Sequence, residues 1–205
     1  MIRKAEVNDK IKVSELYYVS GPNICKYCFA SDEKTTLGLI KMLYGKPENP
    51  FSREYYWIYE DDGVIKGMLV GFPGMDMHQL EKNISHYGKE MFKIAGFRAC
   101  MQMMAHELSL HNYMPPIKDD EFYIQSLAVF PEFRGQKISS ALVKCIKEYA
   151  HSKEFAKLSL VAESDNRHAI KVYEKFGFVC ADETILPRKF HKKHLSGFCK
   201  MVLRI

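Results

Sequence analysis

No stretch of this sequence approaches the eighteen or so consecutive apolar residues of a membrane-spanning helix. The opening residues, Met1-Ile2-Arg3-Lys4-Ala5-Glu6, run straight into charge and lack the apolar core of an export signal. The chain is therefore expected to be soluble and cytoplasmic, without a membrane partner. Six cysteines (Cys25, Cys28, Cys100, Cys145, Cys180, Cys199) are scattered along it, a pattern that favours reduced thiols over a disulfide framework. Cys25 and Cys28 form the one close pair, and no second Cys-x-x-Cys or finger-spaced His pair completes a zinc site, so no metal is expected. His106 and His111 fail the metalloprotease pattern as well: five residues apart on a helix, they diverge by roughly 140°. Helix-turn-helix, RNP and zinc-finger signatures are missing, which argues against a nucleic-acid partner. Internal repeats and low-complexity segments are missing too.

What is present suits one compact domain. The chain has 205 residues, 47% hydrophobic and 27% charged, with 13 Phe and 12 Tyr, enough to bury a substantial core. A formal charge of +5 gives mild attraction to anions, a phosphorylated cofactor among them.

Periodicity gives the element order. Ile2 to Val7 reads as a strand, and Asn8 or Asp9 can cap a helix running through Leu16 to Val19. Leu37, Ile40, Leu43 and Tyr44 predict a helix over 33–44, ended by Gly45 and Pro47. Tyr55 to Glu60 and Val64 to Phe72 form a hairpin about Asp61-Asp62-Gly63. Residues 73–120, bounded by Pro73-Gly74 and Pro115-Pro116 and rich in Met and Lys, read as a helical insertion. Its Met91, Met101, Met103, Met104 and Met114 could line a pocket, although Met at helical spacing more often fills a core. A βαβα unit follows: strand 122–130, helix 134–151, strand 157–162, helix 166–176. Its crossover helix carries an apolar stripe of Ile138, Ala141, Leu142, Cys145, Ile146 and Tyr149, and its two strands should be parallel. Two more strands, 179–185 and 197–203, flank the basic loop 188–194, which reads as a solvated turn or a protein- or RNA-binding loop.

The segment from Val129 to Leu142 joins a strand end to a helix start through a Gly-containing turn. Such a turn gathers unpaired backbone N–H groups at the positive end of a helix dipole and suits a pyrophosphate. Leu127, Val129, Pro131, Arg134 and Gly135 stand in register with the phosphate-loop pattern of the GNAT acyltransferases, which the segment resembles. Lys137 and Ser139 occupy that pattern's two small positions, and Lys137 departs from its glycine. One strand later, Asn166-Arg167-His168-Ala169 to Tyr173 and Gly177-Phe178 resembles the family's Asn-x-x-Ala-x-x-x-Tyr-x-x-x-Gly-Phe segment; by itself it also reads as an amphipathic helix capped by Asn166.

The resemblance implies an α/β fold (α+β) with a mostly antiparallel, mixed sheet of about seven strands and helices on both faces, its 122–130 and 157–162 strands parallel and splayed. It implies acetyl-CoA as acyl donor and an N-acetyltransferase acting by direct attack of a primary amine in a ternary complex. Leu127 and Val129 would pair with the pantetheine, Arg134, Gly135, Gln136, Lys137, Ile138 and Ser139 would hold the pyrophosphate, and Asn166 would hydrogen-bond the cofactor. Tyr173 would face the sulfur as general acid. Tyr123 and Gln125 would face the acceptor. Glu121 is the candidate base, with Glu163 its rival. Another acyl-CoA, or CoA binding without turnover, is the alternative. The sequence leaves the acceptor open, and the insertion could be a lid or a contact in a homodimer.

Overall fold

The computed structural model describes residues 1–205. Seven strands form one sheet in the order β1-β2-β3-β4-β5-β7-β6: β1 (Ile2–Lys4), β2 (Tyr56–Asp61), β3 (Val64–Pro73), β4 (Phe122–Val129), β5 (Lys157–Glu163), β6 (Val179–Ile185) and β7 (Gly197–Arg204). Every neighbouring pair is antiparallel except β4 and β5. The β2–β3 turn places both Asp62 (φ 50°) and Gly63 (φ 73°) at positive φ, the backbone a two-residue hairpin needs to match strand twist.

One face of the sheet is covered by α6 (Ile138–Ser152) and α7 (Arg167–Lys175). Ile138, Leu142, Val143, Ile146 and Ala150 of α6 pack against Trp57, Leu69, Phe122 and Leu158. Tyr149 lies at the rim of the expected stripe, its ring edge-on to Trp57 at 5.0 Å. Burial of five such side chains contributes about 1.5–3 kcal/mol for each large one, which sets the crossover helix firmly on the sheet.

The other face is covered by α1 (Lys10–Ser20), α2 (Pro22–Cys28) and α3 (Glu33–Tyr44), then by α4 (Met77–Asn83) and α5 (Gly88–His111). Three helices precede the hairpin where two were expected, because Gly21-Pro22 starts α2 with proline at its first turn, where its missing N–H costs nothing. Between β3 and β4 lie α4 and α5, joined by a short 3-10 turn and followed by an irregular stretch over 112–121, and Gly96 (φ 79°, ψ 163°) kinks α5 in the middle. The basic loop holds a short helix, α8 (Arg188–His191), pinned by buried Phe190. No helix is long and apolar enough to cross a membrane.

Candidate active site

The parallel pair that links the two halves of the sheet is short. β4 and β5 match only at Phe122–Leu158, Tyr123–Ser159 and Ile124–Leu160. Beyond these, β5 stays paired with β7 as far as Glu163 and β4 stays paired with β3 as far as Val129. The two strands therefore part company at their C-terminal ends. A bulge begins the parting: Val70 opposes Ser126 but Gly71 opposes Ile124, so Gln125 is the extra residue on β4. Beyond it, Phe130 N–H donates to the Lys66 carbonyl at 3.0 Å. Since bonded residues alternate along an antiparallel ladder, Leu127 and Val129 direct their main-chain groups to the opposite edge, into the gap. Their side chains pack on the α6 face. The bulge also leaves the Gln125 Oε1 buried without a partner, and such an orphan acceptor costs on the order of 1–3 kcal/mol unless a ligand satisfies it.

At the mouth of the gap the chain turns into α6. Residues 134–137 were expected inside that helix, but they form its approach instead. Gly135 has φ 83°, and Lys137, the N-cap, has φ 60° and ψ 16°. Lys137 thus occupies a left-handed position that costs a residue with a Cβ roughly 1–2 kcal/mol, which explains the glycine of the family pattern there. The turn gains an array of donors in exchange. The backbone N–H groups of Gly135, Gln136, Lys137, Ile138, Ser139 and Ser140 find no acceptor in the protein, and the cap offers no side-chain bond. Arg134 and Lys137 are exposed beside them. Ser140 was not singled out in the sequence, but it belongs to this array because every first-turn amide of a helix is unpaired.

Across the gap stands α7. Asn166 caps it through its Oδ1, which accepts from Ala169 N–H at 3.1 Å, so its amide NH2 remains free to donate outward. Tyr173, two turns on, packs edge-on to Phe178 at 6.0 Å, and its hydroxyl has no hydrogen bond to the protein. Burial pushes its pKa up to about 12. Burial likewise raises Tyr123, with further contributions from Glu81 and from Tyr173, which sets the two phenols within electrostatic reach of each other. The Tyr123 ring lies among Phe72, Leu80, Met77 and Val161, so α4 roofs this face of β4.

The two carboxylates separate clearly. Glu121, just ahead of β4, is buried and held by Lys200 Nζ at 2.8 Å and 3.0 Å, with the Lys118 N–H at 3.2 Å. It lies about 13 Å along the strand from Gln125 at 3.3 Å per residue, at the paired end of β4 and β5. The structure brings Tyr123, Gln125, Leu127, Val129, the 134–139 turn, Asn166 and Tyr173 to the gap, and it leaves Glu121 out. Glu163 ends β5 beside the gap and accepts from the Ile24 N–H of α2 at 3.3 Å. Burial raises its carboxyl above the usual range against the opposing effect of that bond. Glu81 of α4 is raised in the same way, by burial first and then by Glu107. Solvent still reaches Glu81 although neighbours crowd it, as expected of the wall of a concave site. A cavity of about 590 Å3 opens elsewhere, around Lys118, Glu121, Lys157 and Lys200. Its central charges are already paired, Lys200 with Glu121 and Lys157 with Asp120, and Lys200 also donates to the Pro116 carbonyl at 2.6 Å. It therefore offers less chemistry than the gap.

Against this geometry, a model of the acetyltransferase (GNAT) family matches residues 32–178. No curated protein sequence matches the chain. Among solved structures, an N-acetyltransferase from Staphylococcus aureus Mu50 is similar, at 20% identity over 99% of this chain and 100% of that one, with a TM-score of 0.72. A second structure, described as an acetyltransferase, shares 23% identity over 100% and 99% of the two chains, with a TM-score of 0.70. A GNAT family acetyltransferase from Elizabethkingia anophelis with acetyl-CoA bound aligns at 14% identity over 100% and 97%, with a TM-score of 0.57. These likenesses carry the fold, and the family match covers both the splayed strands and the turn between them: the chain belongs to the GNAT family of acetyltransferases and is an acyltransferase.

Proposed function

We propose that the chain transfers an acetyl group from acetyl-CoA to a primary amine, with both substrates bound together at the β4–β5 gap. The observation that carries this reading is the coincidence of three unmet demands: main-chain groups of Leu127 and Val129 without a strand partner, an orphaned Gln125 Oε1, and six free amides from Gly135 to Ser140. An extended amide-bearing arm ending in a pyrophosphate meets the first and third. Arg134 and Lys137 add positive charge at the turn, and Asn166 donates its NH2 from the opposite wall.

The thioester supplies an acyl carbon that gains the amine nitrogen and loses the CoA sulfur. Tyr173 is placed to protonate that sulfur. A phenol with pKa near 12 holds its proton at neutral pH, and the burial that raises it also raises the proton affinity of a sulfur anion beside it. On the acceptor side, Tyr123 and Gln125 orient the amine, and Glu163 takes its proton, directly or through water. Glu163 is preferred to Glu121 because its carboxyl lies at the open end of the strands and burial raises its proton affinity, whereas Glu121 is committed to Lys200. The 73–120 segment bounds the acceptor side, a reading supported by the packing of Leu80 and Met77 on Tyr123. The test is release of free thiol from acetyl-CoA against a panel of amines. Amine-dependent thiol release with acetylated product supports the proposal, and thiol release unaffected by every amine rejects it.

A further inference from the structure

The second half of α5 carries an apolar stripe that nothing in the fold covers. Phe97, Met101, Met104 and Leu108 are 71%, 44%, 54% and 75% exposed. Their spacing of four, three and four residues is the heptad seam by which one helix packs against another. Past the kink at Gly96 this segment runs straight to His111, and its inward residues, Cys100, Met103 and Leu110, are buried against the body of the protein. Two faces of one helix are thus apolar, a pattern that needs cover on both sides. Phe92, stacked on Phe97 with ring centroids 5.9 Å apart, widens the patch.

We infer that this stripe is the interface of a homodimer in which the α5 helices of two copies pack antiparallel about a two-fold axis. Two features select a second copy. The stripe is self-complementary: an axis between Gln102 and Met103 sets Phe97 against Leu108 of the other copy and Met101 against Met104, so each large side chain meets an apolar one. Isologous pairing of this kind closes on itself and leaves no open end. The area also suits it. At roughly 200 Å2 per large side chain, the exposed fractions of the four stripe residues with Phe92 amount to roughly 570 Å2. That stands near the top of the roughly 300–600 Å2 range of the largest apolar patch on a monomer, and with a polar rim it approaches the roughly 800 Å2 per partner of a standard interface.

Sedimentation equilibrium of the full chain between about 1 and 100 µM tests the inference, with Met101→Glu and Met104→Glu as separate variants. These side chains are exposed, so both variants should keep the melting temperature and CoA binding of the parent. The wild type should sediment as a dimer, and each variant should weaken association at least about tenfold by burying carboxylates in an apolar seam. Oxidative cross-linking then reads the register: a mixture of Met101→Cys and Met104→Cys chains should cross-link more than either alone. A wild type that stays monomeric throughout, a dimer untouched by both Glu variants, or equal cross-linking in all mixtures would overturn it. A monomer that instead captures another protein through this face would overturn it as well.

Discussion

The two ends of the β4–β5 pair differ in almost everything except sequence proximity. At the paired end, a buried carboxylate and a buried ammonium, Glu121 and Lys200, satisfy each other, and the Lys118 N–H and Pro116 carbonyl take up what remains. At the splayed end, Gln125 Oε1, the main-chain groups of Leu127 and Val129 and the amides from Gly135 to Ser140 lack protein partners. Polar groups buried with all their partners stabilise or specify a fold, and polar groups left waiting are what a ligand completes. Charge and burial alone would have pointed to the paired end, beside a cavity of about 590 Å3.

Breaking the paired end should produce the largest effect. Lys200→Met leaves the Glu121 carboxylate buried and uncompensated, a defect worth about 3–5 kcal/mol. The expected result is a large fall in melting temperature with acetyl-CoA affinity kept in the molecules that remain folded, read by denaturant unfolding and calorimetric titration. A loss of affinity beyond that explained by unfolding would join the two ends into one site.

At the splayed end the prediction reverses. Tyr173→Phe keeps the ring against Phe178 and removes the proton, so single-turnover acetyl transfer should slow by about 10²–10⁴-fold. Stability and acetyl-CoA affinity should barely change. Tyr123→Phe is the control, and its effect should fall mainly on acceptor KM.

Glu163→Gln sharpens the contrast because its two effects have opposite signs. The folded-state pKa of Glu163 lies above the ordinary 4.5, so the folded chain holds this proton more tightly than the unfolded one. Ionising it therefore costs stability as pH rises above the ordinary value, and the cost is complete once pH passes the raised pKa. The Gln variant should melt higher than wild type at pH 8 and no differently near pH 3. Its kcat/KM should fall by roughly 10²-fold and lose the limb that rises with pH through the carboxyl titration. A variant that melts lower at pH 8 would show that Glu163 acts as a cap for α2.

The smallest effect belongs to Lys137→Gly, which removes the left-handed strain at the cap of α6. Allowing for the extra freedom of glycine when unfolded, it should gain about 0.5–1 kcal/mol in denaturant unfolding, with CoA affinity lowered by the loss of one positive charge at the turn.

The sequence made the element order and the capped helix beside the gap legible because both are local. The stripe of Ile138, Leu142 and Ile146, the Asn166 cap and the turn residues Asp62-Gly63 each declare themselves within one or two turns of chain. The fate of Glu121 was not legible. Alternation along a strand set Glu121, Tyr123 and Gln125 on one face, but the bulge at Gln125 breaks that alternation, and the partner that claims Glu121 stands 79 residues away at Lys200. The role of α2 was hidden for the same reason, since the Ile24 amide meets Glu163 across 139 residues. Lys137 reads as a helical residue until its φ of 60° is known.

The central claim is that the unpartnered groups of the splayed end are the acetyl-CoA site. Amide hydrogen exchange with and without CoA tests it most directly, because amides without acceptors exchange fast until something binds them. CoA should slow exchange across 125–129 and 135–140, leaving 116–121 and 197–204 unchanged. Protection confined to the Glu121–Lys200 end, or none at 135–140 under saturating CoA, would contradict the account.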